Sequence, residues 1–195
     1  MSLDTGCRWA GVAKRRHAGP AAHIFSVIPT SSKALALLLS ADVRLIDHIV
    51  SELRPAIVHL GASTDLLTPS TVQQLKQRFA AVTLVRSIPV VGDESIATAQ
   101  CCDGIADMLL VDSHRPGDVQ IGALGVTHSW PIDRKIVESV RIPVHHRGRT
   151  GPDNALDAIR AGVDSKAMTD KNDGSHTKDL QKVKQFVARA QSLNE

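Results

Sequence analysis

The sequence predicts an α/β fold built on a parallel sheet. Short apolar runs of strand length alternate with helix-period segments about six times, and parallel strands need crossover helices between them. Apolar residues make up 43% of the 195 residues, while aromatics are 3% and Tyr is absent. The core is therefore aliphatic, as suits strands buried on both faces. Two architectures remain open on this pattern, a doubly wound open sheet and a barrel. No Gly-rich dinucleotide fingerprint follows any strand-like run, which disfavours the first. His59, Arg86, Asp112, His145 and Asp164 stand at the carboxyl ends of strand-like runs, the end that carries the active site in a (β/α)8 barrel.

Taken in order, residues 1–33 mix Gly, Pro, Ala and basic side chains without a sustained period. They read as an irregular basic segment, with one short strand at 24–28. Residues 34–195 read as the barrel domain. ALALLLS (34–40), AIVHLGA (56–62), VTLVRSIPV (82–90), DMLLVDS (107–113) and IPVHHRG (142–148) are strand-like. Helices are expected at 42–53, capped by Asp42, and at 68–79, where Thr68 caps and Pro69 opens the first turn. Others are expected at 94–104, 131–140, 151–162 and 176–193. The last places Leu180, Val183, Phe186, Val187 and Ala190 on one face. VDSKAMTD (163–170) reads as a further short strand.

Composition excludes some classes of function. The net charge is only +3. The single basic cluster, Lys14-Arg15-Arg16, reads as a solvated tail, and the scarcity of aromatics argues against nucleic-acid binding. Cys7, Cys101 and Cys102 form neither a disulfide framework nor a zinc pattern. No apolar run approaches the ~18 residues of a membrane span, and no signal-peptide core is visible. These features predict a cytoplasmic protein without a cofactor. His145 and His146 are successive strand residues that face opposite ways, so no metal site is expected there.

The chemistry centres on DMLLVDSHRPGDVQIGALGVTHSW (107–130). An apolar strand stops at Asp112. A carboxyl at the edge of a dry core is partly desolvated, which favours its protonated form and suits a general acid. The competing reading is a turn cap or a partner for Arg115. The loop that follows contains Gly117, Gly122 and Gly125 and exceeds the usual ~2–6 residues, so it is expected to be mobile or to cover a substrate. Arg147 and Arg149 beside Gly148 and Gly151, and Ser165 with Lys166, are two candidate anion sites.

The stretch LLVDSHRPG…GALGVTHSW…IPV…GPDNALDAIR…GVDSK resembles the phosphoribosylanthranilate isomerase family. The resemblance covers about residues 34–195 and matches at Asp112-Ser113, Trp130, Gly151-Pro152-Asp153-Asn154 and Val163-Asp164-Ser165. It implies a TIM-type (β/α) barrel with about six clear βα units and an incomplete N-terminal part. It also implies an Amadori rearrangement of a phosphorylated aminoaldose in tryptophan biosynthesis. By this resemblance Asp112 is the acid. The base is a first-strand Cys, for which Cys7 is the candidate. Ser113, Arg147, Gly148, Arg149, Gly151, Ser165 and Lys166 would bind substrate or phosphate. The usual Gly-Gly phosphate loop is replaced here by His-His-Arg-Gly-Arg-Thr. The alternative function is a catalytically silent barrel that binds a phosphorylated ligand or a partner protein. A sheet of six units has edges that favour a homodimer.

Overall fold

The computed structural model describes residues 10–12, 25, 33–122, 129–146, 171, 173 and 179–191. Among them, six strands form one sheet: β1 (Ala10–Val12), β2 (Ala34–Leu38), β3 (Ile57–Leu60), β4 (Thr83–Val90), β5 (Met108–Ser113) and β6 (Val144–His146). Five helices accompany them: α1 (Val43–Leu53), α2 (Pro69–Arg78), α3 (Glu94–Cys102), α4 (Trp130–Ser139) and α5 (Leu180–Gln191). Every strand pair is parallel, and the spatial order β1-β2-β3-β4-β5-β6 is the chain order. A doubly wound sheet reverses its strand order at a switch point. No reversal occurs here, so the sheet is the wall of a TIM-type barrel.

The helix starts follow local chemistry. The Asp42 carboxylate accepts from the backbone N–H groups of Arg44 (3.0 Å) and Leu45 (3.3 Å), which α1 leaves unpaired. Thr68 caps α2 through the Thr71 N–H (3.4 Å), and Pro69 stands at its first position. Asp179 caps α5 through Gln181 (2.9 Å) and Lys182 (3.2 Å). Helix α4 begins at Trp130, one residue before the expected start, with Pro131 in its first turn.

Side-chain alternation along the strands builds two apolar layers. Leu38, Val58, Leu60, Leu84, Ile88, Leu109, Val111 and Val144 pack with Ile46, Val50, Val72, Leu75, Ala99 and Ile136 of the helices. The opposite face carries a smaller cluster, Ile57, Val85 and Leu110 with Leu35 and Met108, which is the barrel interior. At the amino end of the wall, Asp107 accepts from the Leu84 N–H and from Lys76 Nζ, both at 2.7 Å. That contact ties α2, β4 and β5 together.

Two expectations change. Residues 1–33 contribute β1, whose Ala10–Val12 pair with Ala34–Ala36; three residues are too few to show a period in sequence. Phe25, within the stretch read as a strand, is helical. The helix expected at 151–162 and the strand expected at 163–170 lie outside the described residues.

Leu109 is fully buried between sheet and helices. Leu109→Ala is expected to destabilise the fold by about 2–5 kcal/mol, the cost of lost transfer energy plus a cavity. Urea denaturation checks this, and a loss below about 1 kcal/mol would mean the helix layer is not the main core.

Candidate active site

Asp112 is the last-but-one residue of β5 and is 3% exposed. Its Oδ1 accepts from the backbone N–H of Ser113 (2.7 Å) and from the Ser113 hydroxyl (3.3 Å). Arg115 is exposed and forms no ion pair among the described residues, so the Arg115 partnership considered from sequence does not occur. On the neighbouring strand Pro89 is in register with Asp112, and two residues earlier Ser87 is in register with Leu110. Asp112 therefore shares the interior face with Leu110 and Ser87.

His59 stands on the same interior face. It is buried, and its Nε2 shares a 2.7 Å hydrogen bond with Ser87 Oγ. His59 pairs with Val85 and Ser87 is two residues further along β4, so this bond runs diagonally across two strands toward the carboxyl end. Asp112 stands in the same diagonal relation to Ser87 on β5.

Of the three glycines in the loop after β5, Gly122 has a structural reason, and Gly125 lies outside the described residues. Gly122 has φ +86°, and a Cβ there would lie 2.0 Å from Asp112 Oδ2 and 2.7 Å from its Cγ. Only glycine meets both conditions. The Gly122 N–H donates to Ser113 O (2.9 Å), closing the loop back onto its own strand. Upstream, Ile121 N donates to Gly61 O (2.8 Å), Ser63 N donates to Val119 O (2.9 Å), and Gln120 forms an antiparallel bridge with Ala62. The first half of the loop thus crosses the carboxyl end of the wall and is fixed there. Residues 119–122 are held there by backbone pairing.

Arg86 corrects a reading. From sequence it belonged with the polar residues of the mouth. It stands instead on the outer face of β4, in register with Leu60, and is 0% exposed. Its Nη1 donates to Leu60 O (2.9 Å) and Ala62 O (2.7 Å), and its Nη2 to Leu67 O (3.2 Å). Burial lowers its pKa to about 10, offset in part by Cys102 nearby.

His146 also faces outward. Its Nδ1 bonds to the Asp133 carboxylate, both groups being buried, and its ring meets Trp130 edge-on at 5.9 Å. This pair anchors α4 to β6, and it places His145 on the other face, as alternation requires. Among the described residues no group of three or more His, Cys, Asp or Glu could hold a metal ion. No described helix is long and apolar enough to cross a membrane. Of the sequence-derived site residues, the structure brings Asp112 and Ser113 together. Cys7, Arg147, Gly148, Arg149, Gly151, Ser165 and Lys166 lie outside the described residues. Sequence reasoning passed over Ser87; its one signal was a polar residue inside an apolar strand.

An N-(5'-phosphoribosyl)anthranilate isomerase of Methanocella arvoryzae is 29% identical over 170 residues, covering 84% of this chain and 75% of its own length. N-(5'-phosphoribosyl)anthranilate isomerase 2 of Methanosarcina mazei is 30% identical over 155 residues, covering 77% of this chain and 66% of its own. A solved phosphoribosyl anthranilate isomerase in complex with reduced 1-(o-carboxyphenylamino)-1-deoxyribulose 5-phosphate superposes with a TM-score of 0.67 at 14% identity, covering 96% of this chain and 88% of that one. At that identity the likeness is one of fold. No family model matches the chain.

Gly117 and Gly122 give a paired test of the loop. Both have positive φ, but nothing lies within 4 Å of a Cβ built on Gly117. Gly117→Ala is expected to cost only the left-handed backbone penalty of roughly 1–2 kcal/mol. Gly122→Ala is expected to cost more, because its methyl displaces the Asp112 carboxylate. Equal losses in parallel urea titrations would show that Gly122 does not hold the carboxylate in place.

Proposed function

Because this chain belongs to the phosphoribosylanthranilate isomerase family, we propose that it catalyses an Amadori rearrangement of a phosphorylated N-aryl aminoaldose. The observation that carries this reading is the placement of Asp112. A buried carboxyl stands one residue before the end of a strand at the mouth of the wall, against a glycine that leaves room for its oxygens.

In this mechanism Asp112 is the general acid. It gives a proton to the ribose ring oxygen as the C1–O bond breaks and nitrogen supplies electrons to C1. A base then removes the C2 proton, and the resulting enolamine tautomerises to the ketone. Atoms balance without any cofactor. The Ser113 N–H and hydroxyl, both on Oδ1, hold the carboxylate that remains after proton transfer. The loop across the mouth limits water at the reacting atoms.

Cys7 is the candidate base supplied by the resemblance, and it lies three positions before β1 in the chain. Arg147, Gly148, Arg149, Gly151, Ser165 and Lys166 are proposed to hold the phosphate, through backbone N–H groups and guanidinium forks. The solved relative with its phosphorylated product analogue supports a substrate of this class. The homodimer expected from sequence remains part of the proposal; light scattering after size exclusion is expected to give twice the chain mass, and a monomer mass removes it.

Steady-state conversion of N-(5'-phosphoribosyl)anthranilate tests the mechanism. Asp112→Asn is expected to lower turnover by about 10²–10⁴, the usual worth of a placed acid, while retaining affinity for the reduced product analogue. That analogue at a hundred times its Kd should stabilise either protein by ~2.7 kcal/mol. Turnover that survives in Asp112→Asn removes the acid assignment. A melt that the analogue does not move removes the phosphosugar site. Cys7→Ser is expected to lose turnover as well, and full activity in that variant would assign the base elsewhere.

A further inference from the structure

We propose that Arg86, on the outer face of the wall and away from the interior, is a positioning residue for Asp112. The reading rests on the proposed role of Asp112 as acid. Its basis is a continuous set of hydrogen bonds across two loops.

The segment Leu60–Ser63 is bonded on both sides. Its carbonyls at Leu60 and Ala62 point to Arg86 Nη1, at 2.9 and 2.7 Å. Its Gly61 carbonyl and Ser63 N–H point the other way, to Ile121 N (2.8 Å) and Val119 O (2.9 Å). Alternate backbone groups of an extended segment face opposite edges, so one segment serves both partners. The next residue beyond Ile121 is Gly122, where a Cβ would overlap the Asp112 carboxylate and whose N–H closes on Ser113 O. From guanidinium to carboxylate, each step is a hydrogen bond or a covalent neighbour.

The Arg86 side chain also reaches Leu67 O through Nη2 (3.2 Å). Thus one planar fork fixes both the start and the end of the β3–α2 loop. Lysine has a single tetrahedral ammonium and cannot hold three carbonyls in that plane. Among the described residues no carboxylate pairs with Arg86. Its partners are carbonyls alone, so the contact sets backbone geometry and neutralises no charge. A loop that moves by even a fraction of an ångström at Gly122 moves the acid, because nothing but glycine fits against it.

The test compares Arg86→Lys with Leu109→Ala, a core variant that serves as the control for bare destabilisation. Two readouts are used: kcat and KM for N-(5'-phosphoribosyl)anthranilate, and hydrogen exchange at the Ser63, Ile121 and Gly122 amides. Arg86→Lys is expected to lower kcat about 10–100-fold, the range a misplacement near 1 Å produces, with KM nearly unchanged and faster exchange at all three amides. Leu109→Ala is expected to leave kcat and these amides near wild type at temperatures where it is folded. The proposal is overturned if Arg86→Lys behaves like the control, or if Ile121 and Gly122 keep wild-type exchange. Should Arg86→Lys not melt cooperatively, Arg86→Gln, which keeps an NH2 donor at shorter reach, carries the same measurements. If neither folds, Arg86 serves the fold alone and the positioning role falls. A wild-type chain without turnover would sink the isomerase reading, and the exchange data would still decide whether Arg86 controls the loop at Asp112.

Discussion

A β-strand sends successive side chains to opposite faces, and this parity governs the rest of the molecule. On β4, Leu84, Arg86 and Ile88 go to the helix layer while Val85 and Ser87 go inside. On β5, Leu109 and Val111 go outward while Leu110 and Asp112 go inside. On β6, His146 meets α4, which leaves His145 for the interior. Because all strands are parallel and in chain order, their carboxyl ends lie at one rim. Parity and direction together decide which polar residues can meet a ligand and which can only hold the fold.

The buried polar groups divide along that line. Arg86 and the Asp133–His146 pair sit outside the wall, and their bonds join elements to one another. His59, Ser87 and Asp112 sit on the inner face. A buried polar group is costly unless bonded. On the outer face that cost is offset by fixing loops and helices. On the inner face it is offset by a hydrogen bond between side chains or to the chain's next residue, which leaves Asp112 at the rim where chemistry is possible. The covering loop belongs to both sides: its backbone is pinned to the β3–α2 loop, and its glycine shapes the space around the acid.

The fold was largely legible because its signals are local. Caps at Asp42 and Thr68 and the proline of α2 act within four residues, and each is found where the sequence placed it. The aliphatic runs of β2 to β5 are long enough to show their character, whereas Ala10–Val12 is too short and joins the sheet only through its pairing with β2. The site was legible in part. Asp112 stood out as an abrupt end to an apolar run. Gly122 was visible as one of three loop glycines, but the carboxylate that makes it necessary was not. Arg86 was assigned to the mouth, yet it lies mid-strand in β4 and on the outer face, because an apolar run does not announce where the strand will end.

By itself the sequence determined the alternation of strands and helices, the aliphatic core, the helix starts and the position of a lone carboxyl at a strand end. These follow from residue type and spacing along one stretch of chain. The tertiary structure alone decided the order of the strands, the face each polar side chain occupies and the partners it meets. Arg86 bonds residues 19 to 26 positions away, and the loop at Val119–Ile121 meets residues 61–63. Backbone carbonyls are the same in every residue, so no side-chain pattern can announce which of them a buried guanidinium will find. That choice is made when sheet register brings β3 beside β4 and the loop after β5 crosses the end of β3.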